Sequence, residues 1–116
     1  MKGRFGDVQR AQHILDAIKE IESFVGTLNY EEFQASSLIR SATERQLITI
    51  GEASWHLSDE VKNKYDEIDW RGIKGFRNII THEYFGISVK MVWVVLINEL
   101  PKLKQVAEKI IKEIGE

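Results

Sequence analysis

The sequence predicts an all-α bundle of four main helices with shorter helical pieces between them. Three observations carry that reading. Apolar residues recur at helical spacing in three places along the chain. Strand signals are weak, with no Asn-Gly or Asp-Gly turn and no sustained alternation. Residues suited to capping (Asp7, Asn29, Ser58, Asp69 and Ser88) stand at the head of the helical stretches. The 116 residues suit one domain, 1–116.

The first element is "DVQRAQHILDAIKEIESFVGTL". It puts Val8, Ala11, Leu15, Ile18 and Val25 near one stripe, widened by Ile14, Ile21 and Leu28. Asp7 is its expected N-cap. The second stretch spans 30–57 with a break expected near 34–37. Asn29 caps it, and Glu31 and Glu32 in its first turn suit the helix dipole. Leu38, Ile39, Ala42, Leu47, Ile50, Ala53 and Leu57 form its apolar face. Gly51 lies inside it, where glycine costs about 1 kcal/mol relative to alanine. Close approach of another backbone is the expected reason. Ser58 then caps a short piece, "SDEVKNKY". Asp69 caps a helix over 70–83, which Gly86 ends. Ser88 opens the last long helix, where Pro101 predicts a kink or break near 98–100.

Composition removes several function classes. Hydrophobic residues are 43% and charged residues 29%, so the chain reads as globular. It has no cysteine, which excludes a disulfide scaffold, a cysteine-based zinc site and a cysteine nucleophile. That fits a reducing cytosol, and a cytoplasmic location is expected. The N-terminus shows no apolar core of a signal peptide. The apolar run "MVWVVLI" is far below the ~18 residues needed to span a bilayer, so no membrane is expected. Net charge is −2 and the pI about 5.9, so nucleic-acid contact would need a local patch or partner-supplied charge.

Phosphate-binding loops and serine triad contexts are missing. His13 and His56 lack partners at ligand spacing, and Glu52 with His56 makes only two potential ligands, so no metal and no cofactor are expected. Trp55, Trp70 and Trp93 read as packing groups. Lysines 102, 104, 109 and 112 read as solvating the last helix. Glu52 reads as a partly buried carboxylate paired with an arginine.

One stretch stands apart, "FRNIITHEYFG" at 76–86. Asn78 and His82 are four apart and share a helical face. Arg77 and His82 are five apart, about 140° around an ideal helix. Metal-free phosphodiester cleavage suits these residue types. Histidine can take a proton from a 2′-hydroxyl or give one to the leaving oxygen. Arginine brings a permanent forked charge to the phosphate oxygens. Asparagine can orient either group, and Tyr84 can bond the phosphate or stack on a base. Between 71 and 82 the charged side chains Arg71, Lys74 and Arg77 are all basic. The residue types leave a second reading open. Arginine and histidine near a helix C-terminus are favoured by the dipole alone.

"RNIITHEY" resembles the R-x4-H-x-Y pattern of HepT-like proteins, a branch of the HEPN superfamily. "RQLITIGEA", "IDWRGIKGFRN" and "VWVVLINELPKL" resemble the family's flanking segments in order, and the likeness runs from about residue 35 to residue 103. The resemblance implies a HEPN domain that forms a homodimer and brings two motifs into one cleft. It implies a metal-independent endoribonuclease, the toxin of a type VII-like toxin–antitoxin pair, cutting RNA such as tRNA or mRNA. Arg77 and His82 would be catalytic, with Asn78 in support. The implied partner is an MntA-like minimal nucleotidyltransferase antitoxin, which would adenylylate Tyr84. The alternative is a non-catalytic helical module that binds the nucleotidyltransferase and a nucleotide.

Overall fold

The computed structural model describes residues 4–82 and 88–114, with the backbone alone at residues 4, 5 and 82. Four longer helices carry the architecture: α1 (Arg4–Val25), α3 (Ser37–Trp55), α5 (Trp70–His82) and α7 (Leu100–Ile114). Three single-turn to two-turn pieces join them: α2 (Tyr30–Ala35), α4 (Asp59–Lys64) and α6 (Val89–Val94). The expected all-α bundle of four main helices and shorter pieces is therefore what forms. In space α1 lies between α3 and α7, and α5 packs on the outer side of α3.

The core follows the apolar stripes. Ile14, Ile18 and Ile21 of α1 are buried with Leu103, Val106 and Ile110 of α7 and with Leu47 and Ile50 of α3. Burying an aliphatic side chain of this size contributes about 1.5–3 kcal/mol. Short helices that are marginal alone are held by this packing and by their caps. At α2 the Asn29 side chain accepts from the Glu32 N–H while the Glu32 carboxylate accepts from the Asn29 N–H, a reciprocal capping box. Phe33 of α2 is fully buried beneath Trp93, their ring centroids 5.3 Å apart. The expected break between α2 and α3 falls at Ser36, whose hydroxyl caps α3.

One expectation needs correction and another takes a specific form. Asp7 does not cap α1, which already runs through it from Arg4. Asp7 is instead 3% exposed and accepts from both the N–H and the hydroxyl of Ser58, at 2.8 and 2.7 Å. Ser58 is the N-cap of α4, so a carboxylate 51 residues away holds the cap of another helix. The disturbance expected ahead of Pro101 near 98–100 takes the form of a π-helical interruption between α6 and α7. The chain widens into a π-helical turn at Val95–Glu99, where the Leu100 N–H reaches the Val95 carbonyl. Proline has no N–H to offer the carbonyl four residues back, and its ring crowds that carbonyl. A wider turn just ahead of it accommodates both effects while α6 continues into α7.

Candidate active site

The α3–α5 seam begins with a glycine. A Cβ built on Gly51 would stand 2.6 Å from the Arg77 Cβ and under 3 Å from its Cγ and Cδ. A close approach at Gly51 is real, but what approaches is the alkyl stem of Arg77 and not, as expected, a backbone. α5 is amphipathic: Ile73, Phe76 and Ile80 turn to the core, with Ile80 4% exposed. Arg77, one position after Phe76, is carried to the rim of that face and pressed against α3.

Glu52, the residue after Gly51, then meets the arginine head. Arg77 Nη2 lies 3.3 Å from Glu52 Oε1, and Nη1 lies 3.5 Å from the Asn78 Oδ1. The Glu52 side chain is 59% exposed, against 28% for Arg77. Sequence reading paired Glu52 with an arginine correctly but expected it partly buried. An ion pair this open is worth at most about 1 kcal/mol, so it orients Arg77 more than it stabilises the fold. Arg77 Nε is buried without a hydrogen-bond partner among the described residues.

The sequence-selected residues are placed as follows. Arg77 and Asn78 are neighbours on α5, with Asn78 exposed. His82 is the last residue of α5, so the helix from Arg77 to His82 is continuous and their angular separation of about 140° stands. Tyr84, Glu83 and Gly86 lie outside the described residues. Among the described residues no group of three or more His, Cys, Asp or Glu could hold a metal ion. His56 caps the end of α3 and is exposed, as is His13. No described helix is long and apolar enough to cross a membrane.

One turn along the seam is a second polar rung. Trp55 follows Gly51 by four residues, and Lys74 precedes Asn78 by four. The Lys74 Nζ stands 3.7 Å from the Trp55 ring centroid, and Lys62 Nζ stands 5.3 Å from it. Of the three tryptophans expected as packing groups, Trp93 packs on Phe33 and Tyr30. Trp70 is half-buried and donates its indole N–H to the carbonyls of Lys62 and Tyr65. Trp55 departs from the expectation, because it is 48% exposed. Its spacing from Gly51 was the available signal: a residue one turn from a helix-crossing glycine lies on the same face, at the margin of the contact.

The Ribonuclease HepT-like family model matches residues 14–110. "Putative RNase MJ1380" of Methanocaldococcus jannaschii is 34% identical over 95 residues, 82% of this chain and 87% of that protein. "Probable ribonuclease HepT" of Thermococcus cleftensis is 34% identical over 101 residues, 87% of this chain and 92% of that protein. The chain belongs to the Ribonuclease HepT-like family. A further relative, "Putative RNase TTE0752" of Caldanaerobacter subterraneus, is 34% identical over 103 residues, covering 88% of this chain and 92% of its own. No solved structure matches the chain. The family resemblance read from "RNIITHEY" and its flanks therefore holds, and with it the HEPN-type bundle and the enzyme class, an endoribonuclease. In this HepT-like chain the motif arginine is the residue that the α3–α5 seam clamps.

Proposed function

We propose that this HepT-like protein is a metal-independent endoribonuclease whose catalytic residues are Arg77 and His82, supported by Asn78. The observation that carries the proposal is the posture of Arg77. Its stem is fixed on Gly51 and its head is aimed by Glu52, on the same continuous helix that ends at His82. A preorganised guanidinium is what a developing phosphorane charge requires, since a site that need not reorganise stabilises charge best. His82 acts as the general base on the 2′-hydroxyl and as the acid for the 5′-oxygen. The wide angle between Arg77 and His82 on one helix favours a cleft shared by two copies of a 1–116 HEPN domain. Incubation with total tRNA tests the reading: wild type cleaves, while His82→Ala and Arg77→Ala remain folded and do not. Equal cleavage by wild type and His82→Ala overturns it.

The biological setting that this activity fits is the toxin of a type VII-like toxin–antitoxin pair in the cytoplasm. The partner is a minimal nucleotidyltransferase of the MntA-like kind that adenylylates Tyr84, two residues past His82. An AMP there adds bulk and negative charge beside a phosphate site. Mass spectrometry after co-expression reads this directly as added AMP on the Tyr84 peptide, and modification mapped elsewhere sinks the assignment.

The Arg77–Glu52 pair also favours a second reading, because a guanidinium occupied by a carboxylate suits a non-catalytic module that binds the nucleotidyltransferase. Expression of the chain alone separates the two: growth arrest follows from the first reading and normal growth from the second.

A further inference from the structure

Trp55 is an indole ring left half in solvent at the α3–α5 seam. The Lys74 ammonium sits over it at 3.7 Å and the Lys62 ammonium at 5.3 Å. Lys62 also donates to the Trp55 carbonyl at 3.1 Å, which fixes it beside the ring. The ring opens on a groove of about 980 Å³ bounded by α3, α4 and α5, to which Lys74 and Arg71 also contribute. Charge in that groove is uneven. Its acids are Asp59, Asp66, Glu67 and Asp69 and its cations Lys62, Arg71 and Lys74, and the ammonium groups of Lys62 and Lys74 stand at the Trp55 ring. A polyanion entering the groove is drawn to the ring, where the two ammonium groups stand.

Trp55 is also in register with the candidate catalytic arginine. It lies one helical turn from Gly51 on α3, and Lys74 lies three residues before Arg77 on α5, so the two rungs are about 5.4 Å apart along the seam. Resting on the ribonuclease reading above, we propose that Trp55 and Lys74 form a nucleotide-binding subsite beside Arg77. An unpaired base of single-stranded RNA stacks on the Trp55 indole, and Lys74 turns from the ring to the adjacent phosphate. An exposed aromatic flanked by cations is the arrangement by which proteins grip single strands without reading their sequence. The subsite positions substrate, and it takes no part in proton transfer.

The test uses the full-length protein and two RNAs of one single-stranded sequence: an uncleavable 2′-O-methyl version for binding, and the unmodified one for cleavage. Fluorescence anisotropy should show Trp55→Ala binding about tenfold more weakly than wild type, with Trp55→Phe retaining most of the affinity. Lys74→Ala should flatten the salt dependence of binding by about one phosphate contact. RNA should quench the tryptophan emission of wild type and not the corresponding fraction in Trp55→Phe. In cleavage, Trp55→Ala should raise KM and leave kcat at saturating RNA unchanged. Wild-type affinity in Trp55→Ala, with His82-dependent cleavage intact, overturns the subsite and leaves the ribonuclease reading standing. Failure of the wild type to bind or cleave RNA overturns both.

Discussion

The two sides of α3 are built from different chemistry. On its inner side α3 meets α1, and α1 meets α7, through Leu47, Ile50, Ile14, Ile18, Val106 and Ile110, all buried aliphatics. On its outer side α3 meets α5 through Ile73 and Phe76 and, at the rim, through an arginine laid on a glycine, a lysine on a tryptophan and an open carboxylate. Aliphatic packing is dense and non-directional, and tolerates exchange at constant volume. The polar rim of the outer seam is directional, and its contacts fix the orientation of charged groups. Under the proposed function, substitutions in the aliphatic core should act on stability and those on the polar seam on cleavage.

Gly51→Ala gives the largest effect on the outer seam. The new methyl would lie 2.6 Å from the Arg77 Cβ, an atom tied to the α5 backbone that cannot swing away. Overpacking of this kind costs about 1–3 kcal/mol, offset by the roughly 1 kcal/mol that alanine gains over glycine in a helix. Urea unfolding should therefore show a modest net loss, while RNA cleavage collapses because Arg77 is displaced. Unchanged cleavage would show that Arg77 needs no fixed position.

Asp7→Ala should do the reverse. It strips two hydrogen bonds from the α4 cap and leaves the Ser58 N–H without its acceptor, at a cost of about 2–3 kcal/mol. The melting temperature should fall with the specific activity of the folded protein preserved. A loss of kcat at temperatures where the variant is fully folded would break the separation of the two faces.

Glu52→Gln is expected to shift stability by less than about 1 kcal/mol, because the pair is exposed. Its mark should be kinetic, a several-fold fall in cleavage from an arginine no longer aimed. Thermal melts alongside cleavage assays separate the two effects.

The last effect appears only in alkali. Burial pushes the Tyr65 phenol up to about 12, helped by the nearby Glu113 carboxylate, although the hydroxyl has no partner in hydrogen-bonding geometry. The unfolded phenol titrates near 10, so folding favours the protonated form. Stability from this group is complete below pH 10 and is lost as pH rises from about 10 to about 12. Tyr65→Phe should flatten that alkaline decline in a pH series of urea midpoints, with no effect on the midpoint slope near pH 7.

What the sequence made legible was local. Asn29, Ser58, Asp69 and Ser88 act where they were expected, as capping side chains, because a cap depends on residues two or three positions away. Gly51 announced a close approach, because a mid-helix glycine needs a reason. What stayed hidden was tertiary. Asp7 reads as a cap and is one, but for a helix 51 residues on, a partnership that no local pattern encodes. Pro101 announced a disturbance without revealing that a π-helical turn would absorb it. Residue types and spacing singled out Arg77, Asn78 and His82 as candidates, and the family resemblance gave them their expected roles. Spacing could not show that Glu52 is the carboxylate aiming Arg77, or that Trp55 stays in solvent beneath Lys74, since both depend on how α5 crosses α3.

The central claim is that Arg77 and His82 cut RNA in a cleft shared by two copies, and mixing inactive variants tests it most directly. Arg77→Ala and His82→Ala are each purified, shown to be folded, assayed on tRNA, then mixed under conditions that exchange subunits and assayed again. The account predicts no cleavage by either variant alone and measurable cleavage by the mixture, where one cleft regains an intact Arg77 and an intact His82. An active wild type with a mixture as inactive as its components, despite exchange, would contradict the shared cleft.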